Sequence, residues 1–355
     1  MADAAFPETA LEFGIFDWIE WRDAPPAEIF EHKLRIAEKA DAAGFHGWHI
    51  AEHQGTPLSI DGSPALVLSA AIQRTKRLRL GALTWCLPWY NPFRFYNEIC
   101  MLDHMSGGRV ELGVGRGVSP IESSYFGMKS VDESRERYRE TLDIFFKACA
   151  NEKLEHEGKY FSYKDLELFI HPKQRPWPPL WFPSSDRNSI DFTARHGYHT
   201  VLNTSNAEAG ALYAQYRETW VAHRDDPGRH NAHVAAPKLG KSQHVFVAET
   251  EKEAAEVGLA AYKVWAGHLT HLTRRHGKSN LLNVDPTSPD APLRYVGGTP
   301  KSVIEQLADV VRASGINYLL LVFSFGDLAP ERALHSMDLF VREVMPALST
   351  RRRRP

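Results

Sequence analysis

The strongest constraint on this chain is a repeated change of hydrophobic period. Short apolar runs of strand length alternate with longer runs whose apolar residues recur every three to four positions. Strand-like runs lie at 12–16, 47–51, 78–85, 110–115, 180–183, 200–203, 241–248 and 317–323. The run at 26–43 typifies the helices: Ile29, Phe30, Leu34, Ile36, Ala37 and Ala40 make one stripe, Pro26 opens it and Gly44 ends it. Further helices are expected at 64–74, 92–105, 132–150, 187–196, 207–224, 250–265, 299–313 and 330–345. Strands separated by helices pair in parallel. Eight of them match an α/β fold of the (β/α)8 TIM-barrel type. An open doubly wound sheet competes, but the first strand–helix turn, Asp17 to Pro26, lacks its glycine-rich phosphate fingerprint.

One barrel domain is therefore expected over 1–350, with insertions at the C-terminal face at about 151–177 and 266–298, where no period is legible. Arg351 to Arg354 fall in a tail, 351–355, read as disordered and solvated. A net charge of −2 gives no global field for nucleic acid or an anionic membrane. Cys86, Cys100 and Cys149 lack metal-knuckle spacing and suit a reducing compartment. Residues 1–9 lack the basic and apolar regions of a signal peptide, and no uncharged apolar run approaches the roughly 18 residues of a membrane span, so a cytoplasmic location is expected.

In parallel α/β proteins chemistry sits where strands end. The second strand runs Gly47-Trp48-His49-Ile50-Ala51 into Glu52-His53. An imidazole there can give or take a proton near neutrality. His49 to His53 also fit H-x-x-E-H, a zinc pattern that needs both histidines on one helical face. The flanking glycines and β-branched residues predict a strand instead, so no metal is expected, and Glu52 is read as pairing with a basic neighbour at the rim. After the fourth strand comes Gly113-Val114-Gly115-Arg116-Gly117: glycines permit close backbone approach, and a guanidinium suits phosphate. Ser184, Ser185, Asp186 and Ser189 lie where the fifth strand gives way to a helix, whose N-terminus holds anions; simple capping is the alternative. Val296-Gly297-Gly298-Thr299-Pro300 is a rival anion site. Trp85, Trp89, Tyr90 and Trp181 are candidates for an apolar substrate pocket, and core packing explains each equally well.

Taken together, Glu52-His53, the run Leu78 to Arg94, the run Leu102 to Gly117, Tyr125-Phe126-Gly127 and the stretch Val296 to Leu348 resemble the bacterial luciferase-like flavin monooxygenases. Similarity is clear over 12–150, 178–203 and 296–348 and poor between 204 and 295. The resemblance implies a barrel binding reduced FMN at its C-terminal face, a separate flavin reductase, oxygen and a small apolar aldehyde or ketone as reactants, and a homodimer. By the resemblance, His53 is the catalytic residue, Arg116 grips the flavin phosphate and Glu122 is an acid influencing the flavin. The family's phosphate glutamate and serine fall on Ser185 and Asp186, a departure, and its threonine on Ser189. Its reactive cysteine falls on Gly115, and its non-prolyl cis peptide on the Leu83–Thr84 bond. Two alternatives share the barrel: a deazaflavin-dependent oxidoreductase and a non-catalytic flavin-binding relative.

Overall fold

The computed structural model describes residues 5–183, 187–277 and 295–351. Among them, eight strands form a parallel ring: β1 (Glu12–Asp17), β2 (Gly47–Ile50), β3 (Arg79–Ala82), β4 (Leu112–Gly115), β5 (Leu180–Trp181), β6 (Thr200–Leu202), β7 (Leu239–Val247) and β8 (Tyr318–Val322). Consecutive strands pair around the ring, and β8 pairs back onto β1. Single bridges make two of these joins, Leu80 to Val110 between β3 and β4 and Trp181 to His199 between β5 and β6. The ring is the barrel that the alternation predicts.

The helices outside begin and end on the expected signals. Proline occupies the first turn of Pro26–Ala43, Pro64–Arg74, Pro92–Ser106, Pro300–Ser314 and Pro330–Leu339. Gly44, Gly107 and Gly315 close three of them at positive φ, where a Cβ would be strained. Apolar residues lie both outside and inside the barrel wall. Leu319 and Leu321 of β8 pack toward the helices, while Tyr318, Leu320 and Val322 pack with Phe16, Trp181 and Val201. At the foot of the interior, buried Glu111 accepts hydrogen bonds from Arg79 and Trp181. Gly14 is glycine because a Cβ there would overlap the Tyr318 hydroxyl.

Both insertions have structure that the periodicity missed. Lys153–Glu157 and Ser162–Glu167 form an antiparallel hairpin. Tyr295–Gly298 runs parallel to the far end of β7, and Pro120–Tyr125 is a short helix. The expected third strand, 78–85, is interrupted: β3 stops at Ala82 and Trp85–Cys86 pairs with β4. The tail beyond Arg351 lies outside the described residues.

Candidate active site

Beyond Ile50 the chain leaves the sheet at the C-terminal rim, and Glu52 and His53 part company. Glu52 is buried and accepts hydrogen bonds from the Cys86 amide at 2.7 Å and the Tyr90 hydroxyl at 2.6 Å. This corrects the expected ion pair: its partners are neutral donors. Burial pushes its carboxyl up to about 8, so it is largely protonated at neutrality.

His53 lies beside a second buried acid. Its Nδ1 is 3.1 Å from Oε1 of Glu122, which is 1% exposed and also accepts the Gln54 amide at 2.7 Å. A carboxylate only accepts, so this contact places a proton on Nδ1 and leaves Nε2 as the nitrogen available to exchange one. Nε2 has no hydrogen-bond partner among the described residues. Glu122 arrives on the helix Pro120–Tyr125, where the Ser119 side chain accepts from the Glu122 amide at 3.2 Å. His49, by contrast, stays in β2, buried against Trp181 and Tyr318, and burial pushes its imidazole down to about 4. The two histidines of H-x-x-E-H thus occupy different compartments.

The neighbouring strand ends make a ledge. The Leu83–Thr84 peptide bond is cis, at the predicted position. A Cβ on Gly115 would overlap the Thr84 side chain, and one on Gly113 would overlap the Ala82 carbonyl. The two glycines are therefore required by the close approach of β3 and β4, which leaves no room for a thiol at 115. Arg116 follows, half-buried, and makes no ion pair among the described residues. Burial, and then the charge of Arg135, lower its pKa. A cation desolvated beside a like charge, with no acid paired to it among the described residues, is suited to an anionic ligand. Ser189 stands in the first turn of Arg187–His196. Ser184, Ser185 and Asp186 lie outside the described residues. The rival anion site is already filled: Glu251 accepts from the amide and hydroxyl of Thr299, at 3.0 and 2.7 Å, where Pro300–Ser314 begins.

The chain matches the family model for luciferase-like monooxygenases over residues 11–318. The chain belongs to the luciferase-like monooxygenases. Protein y4wF of Sinorhizobium fredii is 33% identical over 94% of this chain and 96% of that protein. The oxygenase component of the flavin-dependent trigonelline monooxygenase of Acinetobacter baylyi is 24% identical over 91% of each. Among solved structures, the oxygenating constituent of 3,6-diketocamphane monooxygenase from Pseudomonas putida, in complex with FMN, superposes with a TM-score of 0.79 at 22% identity, covering 95% of this chain and 98% of that one. The last likeness is one of fold.

Within this luciferase-like enzyme, the structure joins His53 to Glu122 and sets Thr84 against Gly115 and Leu83 against Gly113. The four candidate aromatics separate. Trp85 and Trp181 are fully buried, Tyr90 is held by Glu52, and Trp89 is partly exposed, stacked on Phe126 at 5.0 Å. Sequence reasoning passed over a second group at the rim. Asp17, the last residue of β1, pairs with buried Lys33. Trp18, Trp265 and Phe325 surround the His244 ring, Trp265 at 4.0 Å between ring centres. Asp17 and Trp18 sit at a strand end, so the rule that singled out His53 would have found them too.

Proposed function

We propose that this protein is the oxygenase of a two-component monooxygenase that uses reduced FMN, supplied by a separate reductase, and O2 to oxygenate a small apolar aldehyde or ketone. The observation that carries this reading is the pairing of His53 with buried Glu122, which leaves Nε2 without a partner among the described residues, together with the half-buried Arg116 after Gly115, which makes no ion pair among them. The residues fit the cofactor: Arg116 and Ser189 would hold its phosphate, together with Ser184, Ser185 and Asp186, and Leu83, Thr84 and Gly115 would support its ring. Reduced flavin supplies the electrons that activate oxygen. His53 then accepts or returns a proton at Nε2, and Glu122 is a positioning residue that holds the ring and its tautomer. Glu52, neutral and buried, fixes the strand end through Cys86 and Tyr90 without placing another charge there. The FMN bound in the 3,6-diketocamphane monooxygenase structure, and the Acinetobacter baylyi relative being the oxygenase component of a flavin-dependent monooxygenase, support cofactor and partner.

The test is His53→Ala with chemically reduced FMN and oxygen over a panel of aldehydes and cyclic ketones. Product should fall by about 10²–10⁴-fold with FMN affinity kept. Unchanged product formation refutes the assigned role. Hydride transfer through a deazaflavin consumes no oxygen, so oxygen uptake separates that alternative.

A further inference from the structure

A second cavity lies on the outer side of β7, between that strand and the helices Asn206–His223 and Pro300–Ser314. β6 pairs with β7 only at Leu239 to Lys241, and Tyr295–Gly298 pairs with it only from His244 to Val247. On that edge Ser242 and Gln243 face neither strand. The side chains of Leu239, Val245 and Val247 pack outward in the helix-facing core, and Gln243 shares their alternation. A cavity of about 340 Å³ opens there, lined by Gln243, Lys241, Thr204, Asn206, Gln306 and Asp309.

Gln243 is 4% exposed, yet its carboxamide makes no hydrogen bond among the described residues. Its amide lines the cavity, where it can donate to or accept from a ligand. The other groups are mostly donors. The helix Asn206–His223 begins at the cavity, where the Ser205 side chain accepts from the Glu208 amide and its carbonyl from the Ala209 amide. The amides of Asn206 and Ala207 are left pointing from the helix end. Lys241, 3% exposed, donates to the Thr204 carbonyl and brings positive charge to the wall. The acid present, Asp309, is taken by Arg312 at 2.6 Å.

We propose that this cavity binds a small oxyanion, the phosphate or carboxylate group of a small metabolite, with Gln243 and the Asn206 helix end as its donors. The site is independent of the flavin reading. The experiment uses full-length Arg116→Ala protein, so that phosphate cannot report the flavin phosphate site. Inorganic phosphate and acetate are titrated separately at constant ionic strength and followed by calorimetry. One of the two should saturate in the millimolar range, and which one does identifies the anion. Gln243→Glu and the more exposed Asn206→Asp should each weaken it at least tenfold. Failure of both anions to saturate, or equal affinity in both variants, overturns the proposal.

Discussion

Replacing Glu122 with glutamine isolates the proton geometry of the site. The substitution keeps size and removes charge from a side chain that is 1% exposed and accepts two donors, His53 Nδ1 at 3.1 Å and the Gln54 amide at 2.7 Å. Both contacts fall on Oε1, so a glutamine whose oxygen takes that place keeps both donors and the Nδ1 proton, while its NH2 group stands where Oε2 was, 3.4 Å from Nδ1. Two charge-assisted hydrogen bonds become neutral ones, a loss of about 1–3 kcal/mol, which urea denaturation will resolve. The functional effect is larger, because no carboxylate balances the positive charge that the ring takes up on accepting a proton: turnover with reduced FMN should fall about 10²–10⁴-fold. Nitrogen-15 spectra of the imidazole should show the Nδ1–H tautomer kept, and FMN titration checks that the pocket is intact. A variant with normal turnover, or with the proton moved to Nε2, refutes the reasoning.

Three further outcomes follow from the same geometry. Arg116→Ala should weaken FMN binding about tenfold to a hundredfold and leave riboflavin, which has no phosphate, unaffected, as read by fluorescence quenching. Gly115→Ala forces a methyl into the Thr84 side chain, so it should cost about 1–3 kcal/mol in denaturant unfolding, and adding Thr84→Ala should recover part of that loss. Glu52 has its folded pKa raised from 4.5 to about 8. Its contribution to stability is therefore full below 4.5 and is lost as pH rises through about 8, at up to roughly 1.4 kcal/mol per pH unit. Glu52→Gln should flatten the stability–pH profile in that window, and an unaltered slope would show that Glu52 is ionised throughout.

How far the sequence carried these conclusions depended on the range of each interaction. The barrel was legible because strand and helix periods, N-terminal prolines and closing glycines are local. The interruption after Ala82 was not, because the run to Trp85 stays apolar through a cis bond. The hairpin at 153–167 escaped because its inward positions alternate Leu154 with His156, which reads as polar. His53 could be singled out from its strand end. Its partner lies 69 positions away, a separation no spacing rule covers. The short helix carrying Glu122 did leave a mark: Ser119-Pro120-Ile121-Glu122 has the serine-to-glutamate spacing of a capping box with proline inside it. Glu52 was misread because acids at strand ends are ordinarily solvated and paired, whereas here the Cys86 amide and the Tyr90 hydroxyl close over it.

The most direct measurement is a titration of the purified protein with chemically reduced FMN under anaerobic conditions, followed by admission of oxygen with an electrode and an absorbance record. Saturable binding that is weakened about tenfold to a hundredfold in Arg116→Ala, then oxygen uptake coupled to product from an aldehyde or ketone, is the predicted result. No binding of reduced FMN, or binding with no oxygen-dependent product across the panel, contradicts the assignment.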